Sequence, residues 1–102
     1  MYLVADSYEV GSADFNNVFE IAVRMFPESE IANVNAACVA LKNGNMKDAA
    51  RFLAHAGDSP EAKNARGVFA AMNGDKEAAA VLFTQASSLE AARNNYNKIN
   101  NL

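Results

Sequence analysis

Tryptophan is absent from this chain, cysteine and histidine occur once each, and two prolines are the only ones in 102 residues. The lone thiol, Cys38, excludes an internal disulfide and leaves the redox compartment undecided. The lone imidazole, His55, excludes a metal site built on a histidine pair. Apolar runs such as Ala36–Leu41 fall far short of the roughly 20 residues that cross a bilayer, so no membrane insertion by this segment is expected. A basic surface is missing as well. Nine Lys and Arg, scattered along the chain, face 12 Asp and Glu, and a net charge of −3 gives no field to attract phosphates. Nucleic acid is therefore not an expected partner. No basic start followed by an apolar stretch is present, so no targeting peptide is expected. Gly44 and Gly74 are isolated and no Gly-Lys-Ser follows either, which excludes a phosphate loop.

What remains is a helix-forming composition. Hydrophobic residues make up 51% and charged residues 21%, too apolar a balance for a disordered tail. Alanine accounts for 21 positions, whereas valine, isoleucine and threonine together supply 12, which favours helices over strands. The length suits one domain with one modest core.

The sequence repeats. Shifted by 30 residues, Ala32 falls on Ala62, Ala40 on Ala70, Asn43-Gly44 on Asn73-Gly74, Ala49-Ala50 on Ala79-Ala80, Phe52-Leu53 on Leu82-Phe83, and Ala56 on Ala86. Because turn residues and bulky residues coincide as well as alanines, the match is more than shared composition. An earlier unit follows at an offset of 34, placing Phe15, Phe19 and Ala22 on Ala49, Leu53 and Ala56; Ala92, Arg93 and Asn94 begin a further one. Periods of this size signify stacked supersecondary units that share a core.

Spacing within each period is helical: Phe15, Val18, Phe19, Ala22, Val23 and Phe26 recur every three or four residues. Helices are predicted at about 14–26, 30–43, 46–56, 60–73, 76–88 and 90–100. Gly44, Gly57 and Gly74 suit helix closure, and Asn45 and Asp75 suit capping of the next helix. Ser59-Pro60 places proline at a first helical position, and Ser87 with Glu90 has capping-box spacing. Short turns make neighbouring helices antiparallel.

The sets Ala79, Phe83, Ala86; Ala49, Leu53, Ala56, Pro60; and Phe15, Phe19, Ala22, Pro27 carry small and large residues in the order of the second helix of a tetratricopeptide repeat. The chain resembles that family, and also the related Sel1-like repeats, over about residues 12–100. It departs in the first helix, where Gly67 alone matches the family glycine and Ala40 and Ala70 stand where an aromatic is usual, and in a period shorter than the family's about 34. Phe26-Pro27, Asn35-Ala36-Ala37 and Ala65-Arg66-Gly67-Val68 are also similar to the helical-repeat tails of Bacteroidetes cell-envelope proteins, which implies an envelope or periplasmic setting.

The resemblance implies an all-α fold of about six helices, stacked as antiparallel hairpins in a short right-handed superhelix. The expected organisation is one repeat domain, itself a fragment of a longer protein. A partial preceding helix occupies 1–11, units occupy 12–29, 30–59 and 60–89, and a polar capping helix occupies 90–102.

Chemistry is not expected of it. Cys38 lies in an apolar helical run with no electropositive sequence neighbour, which argues against a Cys38–His55 nucleophile pair. His55 precedes Gly57 near a helix end, where an imidazole compensates the helix dipole or faces solvent. Glu28, Glu30, Asp75 and Glu77 sit at helix starts for the same electrostatic reason. Phe15, Phe19, Phe26, Phe52, Phe69, Phe83, Met25 and Met72 have core spacing. No catalytic residue, metal or cofactor is assigned.

In the resembled family, the first helices of successive units line a concave groove. By position this implies columns Val34, Asn64, Asn94 and Ile31, Glu61, Ala91, with Cys38, Val68, Lys98 one turn further on. The candidate binding residues are Asn64, Asn94, Glu61, Lys98 and Lys42, the amides for a peptide backbone and the lysines for carboxylates. The expected function is capture of a protein or peptide. The alternative is a structural spacer or self-association element of an envelope protein.

Overall fold

The computed structural model describes Met25 and residues 28–100. Among these residues the fold is all-helical, with five helices and no strand: α1 Glu30–Lys42, α2 Met46–Leu53, α3 Pro60–Met72, α4 Lys76–Gln85 and α5 Glu90–Asn100. The predicted helix at 14–26 (Met25 apart), the partial helix in 1–11 and the Phe15, Phe19, Ala22, Pro27 set lie outside the described residues. Met25, assigned by spacing to the core, is 65% exposed.

Each helix starts and stops where the local chemistry directs it. Ser29 Oγ accepts from the Ala32 amide at 3.2 Å, and thirty residues later Ser59 Oγ accepts from Ala62 at 3.1 Å. Both satisfy one amide that the first turn leaves unpaired. At the other end, Asn45 and Asp75 N–H groups reach back to the Ala40 and Ala70 carbonyls, while Gly44 and Gly74 take the positive φ this reversal requires (72° and 87°). Asn45 and Asp75 then cap the next helix through their side chains, to the amides of Asp48 and Ala78.

Two boundaries differ from the sequence reading. α2 and α4 end at Leu53 and Gln85 rather than 56 and 88, because Ala56 N–H bonds Leu53 and Ser87 N–H bonds Thr84, three residues back. Such bonds tighten a last turn without continuing the helix. The cap expected of Ser87 also falls two residues early: the Leu89 carbonyl opens α5, accepting from Arg93.

Turns of three residues fold α2 back on α1 and α4 back on α3. α3 is the hub and packs against every other described helix. Alanine makes this close approach possible: Ala37, Ala49, Ala56, Ala62, Ala65, Ala79, Ala86 and Ala92 are all fully buried. Between them sit Leu41, Phe52, Leu53, Val68, Phe83 and Ile99, which fill the remaining space. Gly67 belongs to the same packing problem. A Cβ there would lie 2.5 and 2.7 Å from the ring carbons of Phe83, so hydrogen is the only side chain that the ring admits.

Arg66 fastens the link between α2 and α3. Its guanidinium donates to the Leu53 carbonyl at 2.7 Å and to the Gly57 carbonyl. The segment between the helices is thereby tied to α3, and the Leu53 carbonyl, which also accepts from Ala56, gains a charged donor.

Candidate functional site

The groove columns implied by the resemblance separate in the structure according to helical geometry. Ile31 is 75% exposed, Glu61 is exposed and Ala91 is half-buried, so this column faces outward. Cys38 and Val68 are buried, and Lys98 is half-buried; the column one turn on is therefore mostly core, a correction to the reading of it as partner-facing. Val34 and Asn64 are 7% and 4% exposed, and Asn94 is half-buried.

Asn64 is the main correction. Assigned to a partner-contacting face, it instead accepts a hydrogen bond at 2.9 Å from the amide of Asn95, which is itself completely buried. The side chain joins α3 to α5 through the interior. A buried amide must find partners within the protein, and here two amides from different helices supply each other. Asn33 solves the same problem locally, donating to the Ser29 carbonyl at 2.8 Å. Repeat register picks out Asn64 and Asn94 together, but spacing alone does not separate the inward asparagine from the outward one.

Lys42, another candidate, is exposed at the end of α1, where its cation meets the negative end of the helix dipole. It lies at the opposite end of that helix from Ile31. The five candidate residues thus do not form one cluster.

One recess does lie on the implied face. Glu30, Ile31, Val34 and Asn35 of α1 and Ser59 and Glu61 at the start of α3 enclose a volume of about 430 Å³ between them. Two helices that begin with the same serine cap and lie side by side leave a furrow between their first turns. Ile31 provides an exposed apolar wall, Val34 a buried floor, and the two glutamates a polar rim. Glu30 leans over the link between α2 and α3, where a Cβ at Gly57 would collide with its carboxylate. Asn35 and Ser59 line this recess without having been singled out as binding residues. The signal that would have found them is their place beside the Ile31, Glu61 column.

The reactive groups are elsewhere. Burial pushes the Cys38 thiol up to about 11, against the opposing pull of Lys42 one turn away. That lysine is the electropositive neighbour which the sequence reading did not credit, but burial prevails and the thiol stays protonated at neutral pH. His55 is exposed in the link after α2, beyond the end of the helix. Among the described residues no cluster of three or more His, Cys, Asp or Glu is arranged to hold a metal, and no helix is long and apolar enough to cross a membrane.

No family model, curated protein or solved structure matches the chain.

Proposed function

We propose that this chain is a non-catalytic protein-interaction module of tetratricopeptide-like build, which receives a protein or peptide segment in the furrow between α1 and α3. One observation carries the reading: Ile31, Val34 and Glu61, three positions of the implied groove columns, line a single recess of about 430 Å³ with an exposed apolar wall. Clefts of roughly 300–1,000 Å³ lined by apolar groups with a few polar ones are the usual receptacles for ligands and anchor side chains.

The repeat reading rests on the recurrence of local structure. Serine caps, asparagine C-caps, positive-φ glycines and 13-residue first helices all return thirty positions later. The sets Ala49, Leu53, Ala56 and Ala79, Phe83, Ala86 are buried throughout, as stacking of hairpins requires. In this reading the helix predicted at 14–26 makes the sixth, and the hairpins form a short right-handed superhelix. Lys42, Lys98 and Asn94 remain as peripheral contacts for a longer partner.

The test is selection of binding peptides from a displayed random library against the whole chain, followed by measurement on Ile31→Ser. Peptides whose affinity drops at least about tenfold on that substitution, with Tm unchanged, support the furrow as the binding face. Selected peptides indifferent to Ile31→Ser would refute it. The likeness to envelope-protein tails makes periplasmic and surface proteins the first natural partners to try.

A second reading, a spacer or self-association element, draws on Val81 and Tyr96, which expose 56% and 37% of their surfaces on α4 and α5. Self-association requires a mass that rises with concentration in sedimentation, and a monomer at all concentrations removes that part of the reading.

A further inference from the structure

The furrow between α1 and α3 has a charge pattern that narrows what fits it, and the inference below rests on the reading of that furrow as a binding face. Glu30 and Glu61 line it, and among the described residues no lysine or arginine does. Asp58, exposed, precedes the lining residue Ser59 in sequence. Each helix N-terminus counters the acids with roughly half an elementary charge. Arg66 lies 3.8 Å from Asp58, but it is turned toward the Leu53 and Gly57 carbonyls. Setting Asp58 against Arg66, and the two helix ends against Glu30 and Glu61, leaves roughly one unbalanced negative charge among the described residues at the mouth. Lys63 follows Glu61 by two positions, which places it on a different face of α3.

Apolar character and negative charge therefore meet in one place. Ile31 is 75% exposed, the largest exposure among the big apolar side chains of the described residues. A volume of about 430 Å³ holds a large aliphatic side chain together with the methylene stem of a neighbouring lysine or arginine. The cationic end of such a stem then reaches the carboxylates at the rim. An acidic segment fitting the same space would bring like charges together in a partly desolvated site.

We propose that the α1–α3 furrow takes a cationic-apolar peptide segment, in which a large aliphatic residue packs on Ile31 and Val34 while an adjacent lysine or arginine meets Glu30 and Glu61. The sign of the charge is what the proposal adds to the general reading.

Two labelled probes decide it, titrated into the full chain with fluorescence anisotropy as readout: a short peptide alternating lysine with leucine, and its counterpart alternating glutamate with leucine. The lysine probe should bind about five- to tenfold more tightly at low salt, with the gap closing at high salt. Glu61→Gln should narrow the gap, and Ile31→Ser should weaken the lysine probe about tenfold, both with Tm within a few degrees of the parent. Equal binding of both probes that still depends on Ile31 would overturn the charge assignment and leave the furrow as a binding face. Binding of the lysine probe that ignores both substitutions would overturn the location. Failure of both probes to bind would overturn this inference, while the library selection decides the broader reading separately.

Discussion

Asn64 is the residue at which two roles, surface contact and interior strut, make opposite predictions. Its Oδ1 accepts from Asn95 at 2.9 Å in a setting where the two residues are 4% and 0% exposed. Asn64→Ala removes that acceptor and leaves the Asn95 amide short of a partner in the interior, at a cost of about 1–3 kcal/mol. Alanine returns roughly 0.5 kcal/mol through its better helix propensity, so the net loss is about 0.5–2.5 kcal/mol. For a domain of this size each kcal/mol corresponds to a Tm change of roughly 4–8 °C. Thermal and urea unfolding of Asn64→Ala, Asn95→Ala and the double variant provide the assay. The double variant should lose less than the two singles together, by about 0.5–3 kcal/mol, because both singles remove the same Asn64–Asn95 hydrogen bond. Singles within about 0.5 kcal/mol of the parent, or strict additivity, would refute the strut. So would weaker peptide capture at unchanged Tm, the behaviour of a surface asparagine.

Gly67→Ala should destabilise although alanine is the better helix former: a gain of about 1 kcal/mol is set against about 1–3 kcal/mol of overpacking on Phe83. Adding Phe83→Leu should recover part of the loss, and urea midpoints report both. Arg66→Met keeps an unbranched stem but forfeits the donors to the Leu53 and Gly57 carbonyls, at about 1.5–3 kcal/mol. Faster amide exchange at residues 54–59 should accompany it. Cys38 links stability to alkaline pH. Its pKa is raised from 9.0 to about 11 in the fold, so its contribution is complete below pH 9 and disappears as pH climbs toward 11. Two pKa units correspond to about 2–3 kcal/mol. The difference in stability between the parent and Cys38→Ala should shrink by this amount across that interval. A constant difference would show that the thiol is not buried as described.

Helix positions were legible because caps and turns are written in residue types with narrow roles. Ser59-Pro60, Gly44-Asn45 and Gly74-Asp75 fixed their boundaries within a residue, since few other side chains cap an amide or accept a positive φ. The ends of α2 and α4 were overrun by three residues. Ala54, Ala56 and Ala86 have helical propensity, and nothing in the sequence marks where four-residue bonds give way to three-residue ones. The outward column Ile31, Glu61, Ala91 was legible from the repeat. Burial of Asn64 was not, because the periodicity of α1 and α3 is weak. Apolar and small residues surround these helices, and an asparagine amid alanines looks exposed until its partner thirty-one residues away is known. Val34, Asn64 and Asn94 share a register, but register alone does not divide a column into the buried Val34 and Asn64 and the half-buried Asn94.

The serine caps at 29 and 59 have a consequence for how a chain of this kind can change its length. Excising residues 30–59 would join Ser29 to Pro60, so that one cap takes over the duty of the other and the surviving helix keeps its first amide satisfied. Inserting another copy of that segment would do the same in reverse. Whole periods can thus be lost or duplicated with their punctuation intact, whereas a gain or loss of a few residues would separate a cap from its helix.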